Sequence, residues 1–392
     1  MKWSLGYMLA VAVLLLCGCR DNSYRGQWDE YDGDPDSKHF YPVWISIGPY
    51  YTLPTKAGGG EDPRDILRWR EKNIYIYAFG ADSTKNISYM TNSSYDEEQC
   101  LIDGSKDGDF LGGKLGKRGE DDVLLYWPSG VSRTVNYPRN LNTYQFFGYI
   151  IDDAQMGQIE RSDDKVVIPI TIDGAQDVMT AYSDPMVTYN ELGSEYTQED
   201  KEEILKYSYS EYTAKNNVYP QLLFKHHMTK FKFDVIAGQR EDKEIIRITN
   251  IRIYSKNMAN LTVADKDVEN VGISFIDGKE GLLELREADG APLDPNFYFV
   301  NTHVPDTMRV GDALYAAPQV KYVAEVAVTE DVSKHTYINT IPLMTKDGKF
   351  EPGAVYQVTF TLYGMMDVRV DVDMLGWIDG GNIDIDTELK PN

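Results

Sequence analysis

Tyr41-Pro-Val-Trp-Ile-Ser-Ile-Gly-Pro-Tyr-Tyr51 runs straight into Thr52-Leu-Pro-Thr-Lys-Ala-Gly-Gly-Gly-Glu-Asp-Pro-Arg64, and the contrast between the two segments organises the chain. In the first, Val43, Ile45 and Ile47 alternate with Trp44 and Ser46, the two-residue period of a strand with one face in a core. The second holds three consecutive glycines and two prolines. These deny it both a sheet ladder and a helix, so it reads as an exposed loop. Lys56 sits in the middle of that loop, within reach of a trypsin-like protease. Beyond residue 72 the chain reads as β-sheet. The pattern is that of a β-rich shell whose first strand, 41–51, is open to removal by a single cut.

A length of 392 residues leaves room for two domains, each with its own core. Hydrophobic residues make up 42% of the chain and the mean hydropathy is −0.42, a soluble globular composition once the N-terminus is set aside. The 28 tyrosines outnumber the 13 phenylalanines, which favours sheets with half-exposed faces over helical bundles. A formal net charge of −23 argues against nucleic acid and anionic membrane surfaces as partners.

The N-terminus reads as a targeting segment. Lys2 supplies the positive end, and residues 5–16 form an apolar run too short for a stable membrane span. The run ends in Leu16-Cys17-Gly18-Cys19, which resembles the bacterial lipobox. That resemblance makes 1–18 a lipoprotein signal peptide and Cys19 the lipidated first residue of the mature chain; a plain secretory signal ending near a cysteine is the alternative. Residues 19–40, with Trp28-Asp-Glu-Tyr-Asp-Gly-Asp-Pro-Asp36, then form an acidic tether. Of three cysteines only Cys100 would remain unmodified, so no intramolecular disulfide is available and the fold rests on its core.

Strand candidates follow at 73–79, 123–127, 144–151 and 166–172, after a short charged segment at 65–72 that suits one or two helical turns. Residues 80–122 read as loops over the sheet. Within them Asp103-Gly-Ser-Lys-Asp-Gly-Asp109 has some look of a calcium loop but lacks the acid spacing and terminal glutamate of an EF-hand. Residues 189–217 are charged nearly all round, with Ile204, Leu205 and Tyr207 as anchors, and suit a surface helix or a mobile insertion at a domain boundary. In the second half, Leu222–Val235 alternates Phe231, Phe233 and Val235 against Lys230, Lys232 and Asp234. Further candidates lie at 245–254, 272–275, 282–285, 297–300, 322–329, 336–341, 355–363 and 368–373. Regular strands without long helical periods between them predict an all-β chain of two antiparallel β-sandwich domains in tandem, 41–220 and 221–392.

Chemistry-bearing motifs are absent from the sequence. His226 and His227 are adjacent, so on a strand they face opposite ways and do not chelate one ion; His39, His303 and His335 are isolated. Cys100 follows Glu97-Glu-Gln99, a setting that raises a thiol pKa. The pairs Asp121-Asp122, Asp152-Asp153 and Asp163-Asp164 sit beside turns, where adjacent acids are ordinarily solvated. The expectation is no enzyme, no cofactor and no metal.

With the strands laid out, the chain resembles the fimbrillin family, the Mfa-like lipoprotein pilins of Bacteroidales. Four places carry the resemblance. They are Cys19; the succession Val43-Trp-Ile-Ser-Ile47, Pro54-Thr-Lys-Ala57 and Asn73-Ile-Tyr-Ile-Tyr-Ala-Phe79; Tyr144-Gln-Phe-Phe-Gly-Tyr149 with Ile172-Asp-Gly-Ala-Gln-Asp-Val-Met179; and Leu223-Phe-Lys-His226 with Phe350-Glu-Pro-Gly-Ala-Val-Tyr-Gln-Val-Thr-Phe360 and Trp377. The resemblance implies transthyretin-like sandwiches, export to the outer membrane and cell surface, and assembly into a fimbrium. It implies cleavage after Lys56, leaving Ala57 as the new N-terminus, with Arg64 a second candidate because the family more often carries arginine. It further implies that a neighbouring subunit's C-terminal strand refills the emptied groove. Val368, Val370 and Val372, or Ile383 and Ile385, would be that donor, and the same residues also suit strands that complete their own domain. Implied partners are other fimbrial subunits, the outer membrane through the lipid, and a host or bacterial surface receptor. A different class of reading is a monomeric surface lipoprotein that binds glycan through Trp28, Trp69, Tyr126, Trp127 and Trp377, or that serves as anchor or tip without polymerising.

Overall fold

The computed structural model describes residues 41, 43–49, 74–81, 100–104, 114–118, 122–126, 135–238, 245–301, 307–346 and 348–375. The elements lie within Pro42–Asn392, which groups as one compact unit. In chain order they begin with β1 (Ile45–Pro49), β2 (Tyr75–Ala81), β3 (Cys100–Ile102), β4 (Lys114–Arg118), β5 (Asp122–Tyr126) and β6 (Thr143–Ile150). Next come β7 (Gln155–Met156), β8 (Glu160–Arg161), β9 (Lys165–Thr171) and β10 (Met179–Tyr182), then three short helices, α1 (Pro185–Glu191), α2 (Gln198–Lys206) and α3 (Glu211–Lys215). The second half holds β11 (Gln221–His226), β12 (Thr229–Ala237), β13 (Ile245–Lys256), β14 (Met258–Asp265), β15 (Gly272–Phe275) and β16 (Glu280–Glu284). It ends with β17 (Phe299–Asn301), β18 (Thr307–Ala316), β19 (Tyr322–Glu330), β20 (Thr336–Leu343), β21 (Val355–Leu362) and β22 (Val368–Leu375).

These strands form several sheets in two β-rich bodies. In the first, an eight-stranded sheet ordered β3-β2-β6-β10-β11-β1-β5-β4 lies over a sheet ordered β15-β14-β9-β7, with β8 also paired to β9. The second has sheets ordered β18-β12-β21-β22 and β16-β13-β19-β20, with β17 paired to β13.

Strand β6 explains how the first body is built. Every one of its residues is buried, so both of its faces are covered. Register with β2 puts Tyr77, Phe79, Phe147 and Tyr149 on one face, in a core with Ile168 and Ile170 of β9 and Leu261 and Val263 of β14. The opposite face carries Tyr144, Phe146 and Gly148. There the Tyr209 ring meets Phe146 edge-on at 6.0 Å, and Tyr137 packs 6.2 Å from Tyr144. Gly148 leaves room for Phe224, since a Cβ at 148 would come within 2.7 Å of that ring. In the second body, alternation acts as the sequence predicts. Phe231, Phe233 and Val235 of β12 point into a core where Phe231 meets Tyr322 edge-on at 5.0 Å and Phe233 stacks on Phe360 at 6.0 Å.

Several expectations change. Among the described strands pairing is antiparallel except at β1/β11 and β12/β21, which are parallel. Both parallel pairs join strands far apart in sequence, with the long connections such pairing needs. Of the two readings of 189–217 the surface helix holds, and residues 185–215 cap the first body: Ile204, Tyr209, Thr213 and Ala214 are buried, while Leu205 and Tyr207 are half-buried. Tyr209, in a left-handed backbone conformation with φ 56°, is the real anchor, and its hydroxyl meets Thr188 Oγ1 at 2.9 Å. Residues 80–122, read as loops, contribute β3 and β4. The run 222–235 is two strands, β11 in the first body and β12 in the second. Sheet pairing also carries β14 and β15 back to β9, so strands on both sides of residue 220 share the first body's sheets.

The link between β11 and β12 passes through His226, His227 and Met228. His226 Nδ1 lies 2.9 Å from a carboxylate oxygen of buried Asp177, while His227 Nε2 lies 2.6 Å from Thr180 Oγ1 on the other side. Burial, with the nearby charges of Lys225 and His226, lowers the His227 pKa to about 3; Asp177 opposes that shift. Above the ordinary value of 6.5 the imidazole is neutral folded or unfolded. Below it the unfolded chain binds a proton that the fold refuses. Stability is therefore predicted to fall by about 1.4 kcal/mol per pH unit from this site as pH drops from 6.5 towards 3. Urea unfolding at pH 7 and pH 4.5 checks this, and His227→Gln should flatten the difference.

Candidate functional site

The stretch Val43–Pro49 lies in the middle of the eight-stranded sheet. β1 pairs parallel with β11, Ser46 opposite Gln221 and Ile47 opposite Leu222, and antiparallel with β5, Ile45 opposite Leu125 and Ile47 opposite Val123. The Val43 N–H donates to the Val135 carbonyl and the Ser46 N–H to that of Pro220, both at 2.9 Å. Val43, Ile45 and Ile47 are buried, on the face shared with Leu222 and Phe224. Trp44 and Ser46 take the other face, half-buried, as the alternation predicts. Pro49 ends the strand, because it has no N–H to continue a ladder.

This is a slot for one short strand, walled by two partners and floored by apolar side chains. Burying Val43, Ile45 and Ile47 contributes roughly 6 kcal/mol, at about 2 kcal/mol per side chain. Ordering a five-residue strand costs about 1–2 kcal/mol per residue. The two terms are of similar size, so burial of these side chains by itself holds the strand only marginally.

Lys56, Ala57 and Arg64 lie outside the described residues, as do Cys19, Ile383 and Ile385. Val368, Val370 and Val372 sit on β22, an edge strand, opposite Leu362, Phe360 and Val358 of β21. Their side chains pack on the second body's core, Val372 fully and the other two partly, while Arg369, Asp371 and Asp373 face solvent. Of the Asp103–Asp109 loop, Asp103 and Gly104 are described. Asp103 is buried and accepts from Arg161 at 3.0 Å, which ties up its carboxylate. Among the described residues no group of His, Cys, Asp and Glu is placed to hold a metal ion. Cys100 is buried in β3. Trp28, Trp69, Trp127 and Trp377 lie outside the described residues, and Tyr126 closes β5.

Sequence reasoning missed two features of the slot. One is the parallel partner β11, which no local pattern marks. The other is the pairing of Trp44 with Tyr219, whose rings lie 5.4 Å apart.

No protein-family model matches the chain, and no curated protein matches it. Solved structures resemble it at low sequence identity. A candidate cell adhesion protein of Bacteroides uniformis aligns over 87% of this chain and 99% of its own, with a TM-score of 0.43 and 11% identity. One from Bacteroides ovatus aligns over 88% and 100%, with 0.43 and 12%. The fimbrial anchor protein Mfa2 of Porphyromonas gingivalis aligns over 86% and 98%, with 0.33 and 10%.

The geometry makes the buried face of β1 the sensitive one. Ile45→Ala is predicted to cost about 2–5 kcal/mol. Ser46→Ala, one residue away on the half-buried face, should stay within about 0.5 kcal/mol. Urea midpoints of the two variants against the parent protein provide the comparison.

Proposed function

We propose that this chain is a fimbrial subunit of the bacterial surface, exported as a lipoprotein on Cys19, in which β1 is a replaceable strand. The observation that carries the reading is the slot itself. A strand of five residues is inserted between β11 and β5, is held by its Ile45 and Ile47 and by Val43 just before it, and is followed in sequence by a stretch of glycines and prolines around Lys56. Cutting that loop after Lys56 would leave β1 attached by pairing alone. Its departure would bare the backbone groups of two strands and the apolar floor of Leu222 and Phe224, both of which an incoming strand satisfies at once. A contact between one subunit's groove and another's tail is head-to-tail and does not close, so it extends into a filament.

For the donor, the C-terminal segment with Ile383 and Ile385 is the better candidate. Val368, Val370 and Val372 are committed to the second body's own sheet and core, and their release would cost that body an edge strand. Other fimbrial subunits are then the partners, and adhesion to a host or bacterial surface is the role.

A second reading keeps β1 in place for the life of the protein, as an anchor or tip would. It is favoured by the pairing of β1 with strands on both of its sides.

Lys56→Ala in the native host separates the two. The replaceable-strand reading predicts that export continues while surface polymers, seen as high-mass ladders on unboiled gels, fall to background. Ladders that persist in the Lys56→Ala, Arg64→Ala double variant would remove proteolysis of this loop from the account.

A further inference from the structure

Strand β22 is the outer strand of its sheet, and among the described residues it pairs with β21 alone. The hairpin fixes which backbone groups it turns outward. The Tyr363 N–H donates to the Asp367 carbonyl at 2.8 Å, so 363 and 367 form a hydrogen-bonded pair. Bonded and non-bonded pairs alternate from there along the antiparallel ladder, and 361 with 369 and 359 with 371 are bonded in their turn. Arg369, Asp371 and Asp373 therefore direct their N–H and C=O groups at β21. Val368, Val370, Val372 and Met374 direct theirs at the open edge.

One of these outward donors is already covered. The Val372 N–H donates to the carboxylate of Asp371, the residue before it, at 3.1 Å. An open edge is a template for another strand, and a carboxylate folded over one donor blunts it. Two residues back, the Arg369 guanidinium lies 4.7 Å from the centre of the Tyr363 ring. Among the described residues neither Arg369 nor Asp371 has an ion-pair partner, so the strand presents an unmatched cation and an unmatched anion on its solvent face. Met366 and Met374, towards its two ends, are 72% and 54% exposed.

This order of residues is complementary to itself. Set a second copy antiparallel, with Val370 opposite its counterpart, and the outward groups of 368, 370 and 372 fall into register. Three bonded pairs then give about six backbone hydrogen bonds. In the same register Arg369 stands opposite Asp371 of the other copy, twice over by symmetry, at non-bonded positions where side chains approach most closely. Met374 comes alongside Met366 of the other copy. Asp373 would face Asp367, and there Lys346 offsets the repulsion, its Nζ lying 3.3 Å from Asp373. Other registers are worse. Centring on Asp371 sets it against itself, centring on Val372 sets Asp371 against Asp373, and centring on Arg369 sets arginine against arginine.

We infer that β22 is the contact surface for a second copy of this chain, joined edge to edge about a twofold axis at Val370. The Asp371 carboxylate leaves the Val372 N–H and pairs with Arg369 of the other copy. A twofold contact closes on itself, so it joins two subunits side by side and does not lengthen a filament. It uses neither β1 nor the segment around Lys56, and it stands or falls apart from the assembly reading.

The test uses the mature chain from residue 19 with Cys19→Ser and Lys56→Ala, so that neither a lipid nor a cut contributes. A short edge contact lies at the small end of stable interfaces, and sedimentation equilibrium should show a dimer with a dissociation constant of about 1–100 µM. Arg369→Asp and Asp371→Arg should each weaken it about tenfold or more, and the double variant, which restores opposite charges across the axis, should recover it. Mild oxidation should link Val370→Cys into a covalent dimer, because bonded pairs have Cα atoms about 5.5 Å apart. Val372→Cys, about 13 Å from its counterpart in this register, should not link, and Cys100 is buried. Thermal melts accompany each variant; if a charge variant does not fold, the two cysteine variants decide. A chain that stays monomeric up to about 200 µM overturns the inference. So does a dimer that both single charge variants leave intact, a double variant that does not recover, or linkage at 372 in place of 370.

Discussion

Strand β1 runs parallel to one neighbour and antiparallel to the other, and the first body depends on how that strand is held. A parallel partner cannot be reached by a tight turn, so β1 and β11 are joined only through the long intervening chain. The strand therefore owes nothing to a hairpin. It is fixed by its ladders and by the apolar side chains of Val43, Ile45 and Ile47.

The rest of the first body is arranged so that the slot has walls of its own. β11 is held on its far side by β10, with Thr180 opposite Lys225 and Met179 opposite His226. Its apolar residues Leu222 and Phe224 are buried, and Gly148 on β6 gives Phe224 its space. The helical cap closes the same face of the sheet over Phe146 through Tyr209, whose burial pushes its phenol well above the ordinary value. At the other end of β11 the chain turns through His227 into the second body, whose core is separate and dominated by Phe231, Phe233, Tyr322, Phe350 and Tyr356. These contacts give β1 neighbours that stand on packing of their own.

Much of this was legible in the sequence, because alternation is a local signal. The buried set Val43, Ile45 and Ile47, and the set Phe231, Phe233 and Val235, follow directly from a two-residue period. Alternation says nothing about which strand lies alongside, so the parallel pairings and the return of β14 to β9 had no signature. The helical character of 189–217 was legible, but its anchor Tyr209 was not, because a φ of 56° takes that residue out of any helical period. The Trp44–Tyr219 pair was invisible for the same reason as β11: it exists only once two distant strands are set in register. Asp103 shows the converse: it opens an acidic run that only superficially resembles a calcium loop, and in the fold its carboxylate meets Arg161.

The central claim is that β1 is removed in the working protein, and the N-terminal sequence and intact mass of the protein recovered from its host's outer surface test it most directly. The account predicts a chain that begins at Ala57, or at Asp65 if Arg64 is the residue cut, and carries no lipid. A lipidated Cys19 with residues 41–51 still attached would contradict it and leave an anchored subunit whose first strand is a permanent part of the sheet.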